Sequence, residues 1–233
     1  MDLLIRKKNE VYLKVEAEPH INYELADFFC FEVESAKYMQ KQRRWKGWDG
    51  KIRLYSPATG EIYCGLLDYL MDWADEKGYK YRMEDCKFFG HPLDQNDFIT
   101  PESVVGFVKS LGLPPQLKVR DYQYKAIYEA LKYNRRLLLS PTASGKSLMI
   151  YALVRFHANV DRNILIVVPT TSLVEQMYKD FTEYGWMCAD NCHKIYSGQE
   201  KYTDHQVVIT TWQSIYKEPR KWFDRFDVVI GDE

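Results

Sequence analysis

Short apolar segments alternate with longer amphipathic segments along the second half of the chain, and this alternation restricts the fold more than any other feature. The apolar segments are expected to be strands, and they lie at residues 136–139, 164–168, 207–209 and 228–230. Helices are expected to begin after the first three, at Lys146, Ser172 and Trp212. Because apolar strands joined by amphipathic helices form parallel sheets covered on both faces, the sequence predicts an α/β fold.

The loops at the carboxyl ends of such strands are where ligands bind. After the first expected strand the chain reads Ser140, Pro141, Thr142, Ala143, Ser144, Gly145, Lys146 and Ser147. A sequence of this kind between a strand and a helix is typical of a phosphate-binding loop, whose backbone N–H groups cradle phosphate oxygens. Lys146 would reach the β and γ phosphates of ATP, and the Ser147 hydroxyl would bind Mg²⁺. The usual pattern begins with glycine, whereas Ser140 occupies that position here.

The last apolar strand ends in two carboxylates, Asp232 and Glu233. Asp232 is expected to hold Mg²⁺ directly or through water, and Glu233 to orient and deprotonate the attacking water. With Lys146 they form the candidate catalytic set. An Asp-Glu pair after a strand is often only a solvated strand end, but its position downstream of a phosphate loop makes the functional interpretation more specific.

The order of motifs across residues 120–233 resembles that of the superfamily 2 helicases of DEAD/DEAH type. The resemblance implies a RecA-like ATP-binding lobe, cut off within its acidic box, in which Gln123 would contact the adenine edge. It also implies contacts to the nucleic-acid backbone from Pro169, Thr170, Thr171, Gln176, Thr210 and Thr211. Judged from the residues alone, the threonines could equally be helix N-caps and Gln123 a surface residue.

Consecutive prolines at residues 114–115 predict a domain boundary. Residues 1–113 are then a small α+β domain that recognises nucleic acid, and residues 114–233 are the ATP-binding lobe. In the first domain, strands are expected at residues 3–6, 11–15, 52–55, 61–64 and 79–83, and helices at residues 23–33 and 66–77.

Residues 37–53 of the first domain contain seven lysines and arginines against one acidic residue. The centre of this segment combines cations with an aromatic ring at Lys41, Arg43, Arg44, Trp45 and Lys46. Such a mixture suits phosphate neutralisation with base stacking, or a wedge at a fork. The alternative is a solvated basic loop.

The N-terminal module resembles the substrate-recognition domain of bacteriophage helicases that act on branched DNA. That resemblance implies an ATP-dependent helicase or branch-migration motor, acting on junctions, forks and R-loops in recombination, repair and replication restart. Its partners would be branched DNA or RNA–DNA hybrids, and it would act as a monomer. A double-strand DNA translocase of restriction-enzyme type, a P-loop kinase of a small metabolite and a passive nucleic-acid-binding module remain as alternatives.

The superfamily 2 resemblance also implies a second RecA-like lobe, which ordinarily supplies the arginine that stabilises transition-state charge. Residues 1–233 alone are therefore expected to bind ATP weakly and neither to hydrolyse it well nor to unwind DNA.

Composition excludes several other classes of protein. A net charge of −1 means that any contact with nucleic acid must be local. Apolar runs fall far short of the roughly 20 residues that span a bilayer, and the charged N-terminus does not resemble a signal peptide. A cytoplasmic location, in the host cell if the gene belongs to a phage, is therefore expected. The five scattered cysteines predict reduced thiols, and Cys188, Cys192 and His193 lack a fourth ligand for zinc.

Overall fold

The computed structural model describes residues 1–39, 41, 47–133, 135–196 and 198–232. The chain divides into two compact units, Met1–Asp94 and Gln95–Glu233. Each unit has a hydrophobic core of its own. The two units are therefore described separately.

The first unit is a small α+β structure built on a mixed sheet. Its elements are β1 (Leu3–Lys7), β2 (Tyr12–Ala17), α1 (Pro19–Phe28), β3 (Cys30–Glu32), α2 (Ala36–Met39), β4 (Lys51–Arg53), β5 (Tyr55–Ser56), β6 (Glu61–Tyr63), α3 (Leu67–Lys77) and β7 (Tyr81–Glu84). The strand order is β5-β6-β2-β1-β7, in which only β1 and β7 are parallel.

Alternating side chains of β1 and β2 enter the core of this unit, as the period of two predicts. Helix α3 ends at Gly78, whose φ of 75° provides the left-handed cap that the sequence indicates. The predicted helix over residues 23–33 is wrong in its second half, because β3 begins at Cys30 and pairs with β4 in a separate two-stranded sheet. Apolar residues at this point fit either period, and only the partner strand decides between them.

The second unit contains a parallel sheet with helices on both of its faces. Its elements are α4 (Pro101–Ser110), α5 (Asp121–Lys132), α6 (Lys146–Ala158), β8 (Ile164–Val168), α7 (Thr171–Glu183), α8 (Cys188–Asn191), β9 (Cys192–Ile195), β10 (Val207–Thr211), α9 (Trp212–Ile215), α10 (Arg220–Phe223) and β11 (Val228–Gly231). The strand order is β11-β8-β10-β9, and every pair is parallel.

Neighbouring residues of one strand enter different cores. Ile164 and Ile166 of β8 pack with helices α4 to α7. Leu165, which lies between them, packs with Ile215 of α9 and Trp222 of α10. Both faces of the sheet are thus covered, which confirms the predicted α/β fold class.

The strand predicted at residues 136–139 is wrong. Residues 135–140 adopt neither helix nor strand and pair with none of the described strands. Leu137 and Leu139 are 84% and 90% exposed. An apolar run becomes a strand only where a neighbouring strand satisfies its backbone groups, and local sequence does not reveal that neighbour.

The division between the units lies before the predicted boundary at residue 113. Helix α4, which the prediction assigns to the first domain, inserts Val104 and Val108 into the same core as Ile127 of α5. The prolines at residues 114–115 therefore separate two helices of one unit. Strand β9 is absent from the prediction because its sequence, Cys-His-Lys-Ile, has no clear alternation.

Within the described part of the chain, no helix combines the length and the apolar character that crossing a membrane requires.

Candidate nucleotide-binding site

The phosphate loop, residues 140–147, leads directly into α6. Gly145 is the N-cap of this 13-residue helix and has a φ of 80°, in the left-handed region. No side chain caps the helix at this end. The first N–H groups of a helix lack partners within the helix, so this end of α6 offers donors to an anion.

Side chains of helix α5 hydrogen-bond the backbone of the phosphate loop. The side-chain nitrogen of Gln123 donates to the carbonyl oxygen of Ser144 at 3.0 Å and lies 3.5 Å from that of Gly145. Its side-chain oxygen accepts the backbone N–H of Arg120 at 2.9 Å. The Tyr122 hydroxyl donates to the same Ser144 carbonyl at 2.8 Å. Two side chains of α5 therefore fix the backbone from which α6 begins.

This arrangement differs from the predicted contact between Gln123 and an adenine edge. Gln123 is 4% exposed, and both ends of its carboxamide are engaged inside the protein. A buried amide needs such partners, because an unsatisfied polar group in a core is costly. In this conformation Gln123 positions the phosphate loop, and Tyr122 is a second positioning residue that the sequence analysis missed.

Glycine is required at position 145 for two reasons. A left-handed φ is unfavourable for any residue that has a Cβ atom. In addition, a Cβ atom built on Gly145 would collide with the side-chain nitrogen of Gln123. The loop and α5 consequently pack closely only with glycine here.

The rest of the loop is closed by its own polar groups. The hydroxyls of Ser140 and Ser144 hydrogen-bond each other, and the Lys146 ammonium lies 3.5 Å from the Ser140 carbonyl oxygen. Ser140, which replaces the usual glycine, thus closes the base of the loop. Pro141, Thr142 and Ala143 are exposed. Ala143 has a φ of 63°, a conformation that alanine rarely adopts and that is common at functional loops.

Ser147 contacts an acidic residue that the sequence analysis missed. Its hydroxyl interacts with the carboxyl of Asp180 of α7 and acts on the pKa of that group. Burial raises the pKa of the Asp180 carboxyl, and the interaction with Ser147 partly opposes this rise. An isolated aspartate in the middle of a helix carries no motif, so only the packing of α6 against α7 identifies it.

The acidic segment lies at the carboxyl edge of the sheet. The backbone N–H of Asp232 donates to the Val167 carbonyl of β8 at 2.9 Å, which fixes Asp232 at the end of β11. Within the described residues, Asp232 forms no hydrogen bond or ion pair with Lys146 or Ser147. Glu233 lies outside the described residues.

The same edge carries the segment after β8 that is predicted to contact nucleic acid. Pro169, Thr170, Thr171 and Gln176 are all exposed at the start of α7 or along it. Thr170 is also the N-cap of α7, since its hydroxyl accepts the Leu173 backbone N–H at 3.4 Å. Its exposed position leaves the predicted contact geometrically possible.

The two threonines at the end of β10 are buried. Thr210 is fully buried, and its hydroxyl donates to the Ile195 carbonyl oxygen at 2.8 Å. Thr211 is 3% exposed, and its hydroxyl lies 2.9 Å from that of Ser214. In this conformation the two hydroxyls satisfy buried partners, so the predicted contact of this segment with nucleic acid stays a prediction that would need its backbone groups.

The basic segment of the first unit is described only in part. Lys41 is exposed, whereas Arg43, Arg44, Trp45 and Lys46 lie outside the described residues. The flanking Trp48 is half-buried, and its ring nitrogen donates to the Lys51 carbonyl oxygen at 3.0 Å.

In the described part of the chain, no group of three His, Cys, Asp or Glu side chains could hold a metal ion. The donors near the loop are instead one hydroxyl, Ser147, and separately placed carboxylates. This donor set fits Mg²⁺, which commonly takes one or two protein ligands and completes its shell with phosphate oxygens and water.

A parallel sheet covered on both faces, with a phosphate loop at the start of a buried helix, defines a RecA-like nucleotide-binding lobe. The family described as "Type III restriction enzyme, res subunit" matches residues 116–233. The family described as "DNA helicase UvsW, N-terminal" matches residues 2–84. Because the first match spans residues 116–233, about half of the chain, the chain belongs to the family of the type III restriction enzyme res subunit. This is a helicase family, as the resemblance to superfamily 2 predicts.

Two curated relatives support this assignment. The ATP-dependent DNA helicase uvsW of Enterobacteria phage T4 is 31% identical over 238 residues, which span 100% of this chain and 46% of the relative. The DNA 3'-5' translocase XPB2 of Sulfurisphaera tokodaii is 28% identical over 169 residues, which span 70% of this chain and 36% of the relative. The chain thus spans less than half the length of the curated relatives it matches.

Solved structures agree with the sequence comparison. A crystal structure of the UvsW helicase from bacteriophage T4 superimposes with a TM-score of 0.83 at 29% identity, over 100% of this chain and 83% of that chain. A second crystal structure of T4 UvsW gives the same TM-score and identity and is covered to 47%.

Proposed function

We propose that the protein is an ATP-dependent DNA helicase that acts on branched DNA, and that its second unit is the ATP-binding lobe. The observation that carries the proposal is the phosphate loop at the uncapped start of α6, with its backbone held by Gln123 and Tyr122. The name of the phage T4 relative, an ATP-dependent DNA helicase, supports the same activity.

ATP would bind with its phosphates at the N-terminus of α6. The N–H groups there and the Lys146 ammonium would neutralise the β and γ phosphates. Among the described residues, the Lys146 ammonium has one long hydrogen bond, to the Ser140 carbonyl oxygen at 3.5 Å, which phosphate binding would replace. The exposed residues Pro141, Thr142 and Ala143 would surround the phosphate chain.

Ser147 and Asp232 would hold Mg²⁺, which when bound neutralises charge on the transferred phosphate. Glu233 would orient and deprotonate the attacking water.

The nucleic acid would contact both units. In the second unit, the exposed residues Pro169, Thr170, Thr171 and Gln176 would contact the backbone of one strand. In the first unit, Lys41 and its neighbours Arg43, Arg44, Trp45 and Lys46 would bind the branch point of junctions, forks or RNA–DNA hybrids. The match of residues 2–84 to the N-terminal family of UvsW supports this division of labour. The motor would act as a monomer in the cytoplasm.

ATP hydrolysis by the full-length protein, measured with and without forked DNA, tests the proposal. We expect the fork to stimulate hydrolysis, and Lys146→Ala to lower kcat by about 100-fold or more, because it removes a cation aimed at transition-state charge. Lys125→Ala, which removes an exposed cation of the same unit, should leave kcat unchanged. Hydrolysis that ignores DNA would instead support a P-loop kinase, and the absence of hydrolysis would support a passive nucleic-acid-binding module.

A double-strand DNA translocase is the second candidate, and one observation favours it. The relative from Sulfurisphaera tokodaii, which aligns with 70% of this chain, is named a DNA 3'-5' translocase. Displacement of a third strand from a triplex measures translocation, whereas release of a labelled strand from a fork measures unwinding. Triplex displacement without fork unwinding would favour the translocase.

A further inference from the structure

Two large aromatic rings are exposed directly after β10. Trp212 is 57% exposed and Tyr216 is 53% exposed. The backbone N–H of Tyr216 donates to the Trp212 carbonyl oxygen at 3.0 Å, so the two residues are one helical turn apart. Residues at this spacing lie on the same side of a helix. We call these two side chains the aromatic pair.

The turn that carries the aromatic pair is firmly anchored. Ile215, which lies between the two rings in sequence, is fully buried in the core that contains Leu165 and Trp222. The hydroxyl pair of Thr211 and Ser214 closes the same turn. The backbone of the turn is therefore held in place by buried contacts, and both rings project from it into solvent.

Trp222 shows how tryptophan is ordinarily accommodated in this unit. It is 3% exposed, and its ring nitrogen donates to the Lys201 carbonyl oxygen at 3.0 Å. Exposure of Trp212 forgoes a large hydrophobic gain, since aromatic rings dominate the energetics of cores and interfaces. An exposed ring on a rigid support thus indicates a binding surface.

The position of the aromatic pair continues the surface proposed to contact nucleic acid. Thr211 pairs in register with Val168 of β8. Trp212 and Pro169 consequently follow neighbouring parallel strands at the same carboxyl edge. Thr210 and Thr211 are buried, so the side chains exposed at the end of β10 are those of the aromatic pair.

The charge around the aromatic pair is positive. Lys217 and Lys221 are exposed, and the Lys217 ammonium lies 5.4 Å from the centre of the Tyr216 ring. Arg220 is also exposed, but it lies 3.9 Å from the carboxylate of Asp224. The one acidic residue in residues 212–221 is Glu218, which is neutralised by Lys201 at 2.5 Å. Rings beside cations match a nucleic-acid strand, whose bases stack and whose phosphates are negative.

We propose that the aromatic pair is a stacking platform for unpaired bases of a nucleic-acid strand, with Lys217 neutralising a neighbouring phosphate. The inference rests on the proposed function and adds to it a site that engages bases and not only the backbone. A duplex conceals the faces of its bases, so the platform favours single-stranded segments such as those at a fork.

Fluorescence anisotropy of the full-length protein with labelled oligo-dT tests the inference. The probes are a strand of about 20 nucleotides, long enough for a typical single-strand site, and an abasic strand of the same length. We expect Trp212→Ala and Tyr216→Ala each to weaken binding of oligo-dT at least about fivefold and to leave the abasic strand unaffected. Trp212→Phe should retain most of the affinity. Tyr202→Ala, which removes a similarly exposed ring before β10, is the matched control.

Equal losses on both strands would overturn the inference, because they would indicate a backbone or structural role. Unchanged affinity of both alanine variants would also overturn it, in favour of a protein partner on this surface. Both outcomes leave the proposed function intact if forked DNA still stimulates ATP hydrolysis. Failure of the wild-type protein to bind either strand, together with DNA-independent hydrolysis, would remove the proposed function and this inference with it.

Discussion

At the scale of single residues, the nucleotide site depends on a close fit between one glycine and one glutamine. Gly145 turns the chain into α6 with a left-handed φ, and the Gln123 side chain occupies the space where a Cβ atom would lie. Neither residue acts on phosphate through its side chain here. Their contact sets the position of Lys146 and Ser147, whose side chains would act on ATP and Mg²⁺.

We expect Gly145→Ala to destabilise the second unit and to weaken ATP binding. The left-handed conformation alone costs alanine about 1–2 kcal/mol, and the collision with Gln123 adds to this cost. Urea unfolding and fluorescent-nucleotide titration of the same samples measure the two effects.

Gly112→Ala is the matched control, because Gly112 also has a left-handed φ, of 65°, but nothing lies within 4 Å of an added Cβ atom. This variant should show the conformational cost alone, with unchanged ATP binding. If both variants lose the same stability and neither loses affinity, the contact with Gln123 has no role in shaping the site.

At the scale of elements, α6 links the phosphate loop to the far end of the lobe. All seven residues Leu148–Val154 are buried, so the helix is covered on every side. Near its C-terminal end, burial together with the Arg162 guanidinium lowers the pKa of His157 to about 4. An ordinary histidine has a pKa of about 6.5.

This shift predicts acid sensitivity of the second unit. Between pH 6.5 and about 4 the unfolded chain binds a proton at His157 that the folded chain resists, so stability falls as pH decreases through this window. After allowance for partial exposure we expect a loss of about 1–2 kcal/mol. Urea unfolding at several pH values in this window measures it.

His157→Gln should remove this part of the pH dependence. The matched control is His20→Gln in the first unit, where the side chain is 60% exposed. That variant should leave the pH dependence of the second unit unchanged. A wild-type pH profile in the His157 variant would show that other groups cause the acid sensitivity.

At the scale of the whole molecule, the chain consists of two units with separate cores, which divide between Asp94 and Gln95. The position of this division determines which fragments of the chain should fold on their own. We expect a fragment of residues 95–233 to unfold cooperatively. A fragment of residues 114–233 lacks α4, whose Val104 and Val108 are buried against α5, and each such side chain contributes about 1.5–3 kcal/mol. Loss of both is a large share of the stability of a small domain.

Circular dichroism during urea titration compares the two fragments. The shorter one should unfold at markedly lower urea or fail to fold. Equal midpoints would support the boundary predicted at the prolines and would mean that α4 contributes little to the second unit.

The sequence by itself determined helices α6, α7 and α9, strands β8, β10 and β11, the phosphate loop and the family, but not strand β9. These features depend on local patterns: apolar runs of strand length, helical spacing, and a glycine before lysine and serine. Such patterns act through neighbours in the chain, so they can be recognised without knowledge of the fold.

Only the tertiary structure decided what depends on partners distant in sequence. It buried the Thr210 hydroxyl against Ile195, turned the Gln123 carboxamide towards the loop, and left residues 136–139 without a paired strand. It also exposed Trp212 while burying Trp222. In each case the same side chain could be buried or exposed, and the outcome follows from which other elements pack against it and satisfy its polar groups.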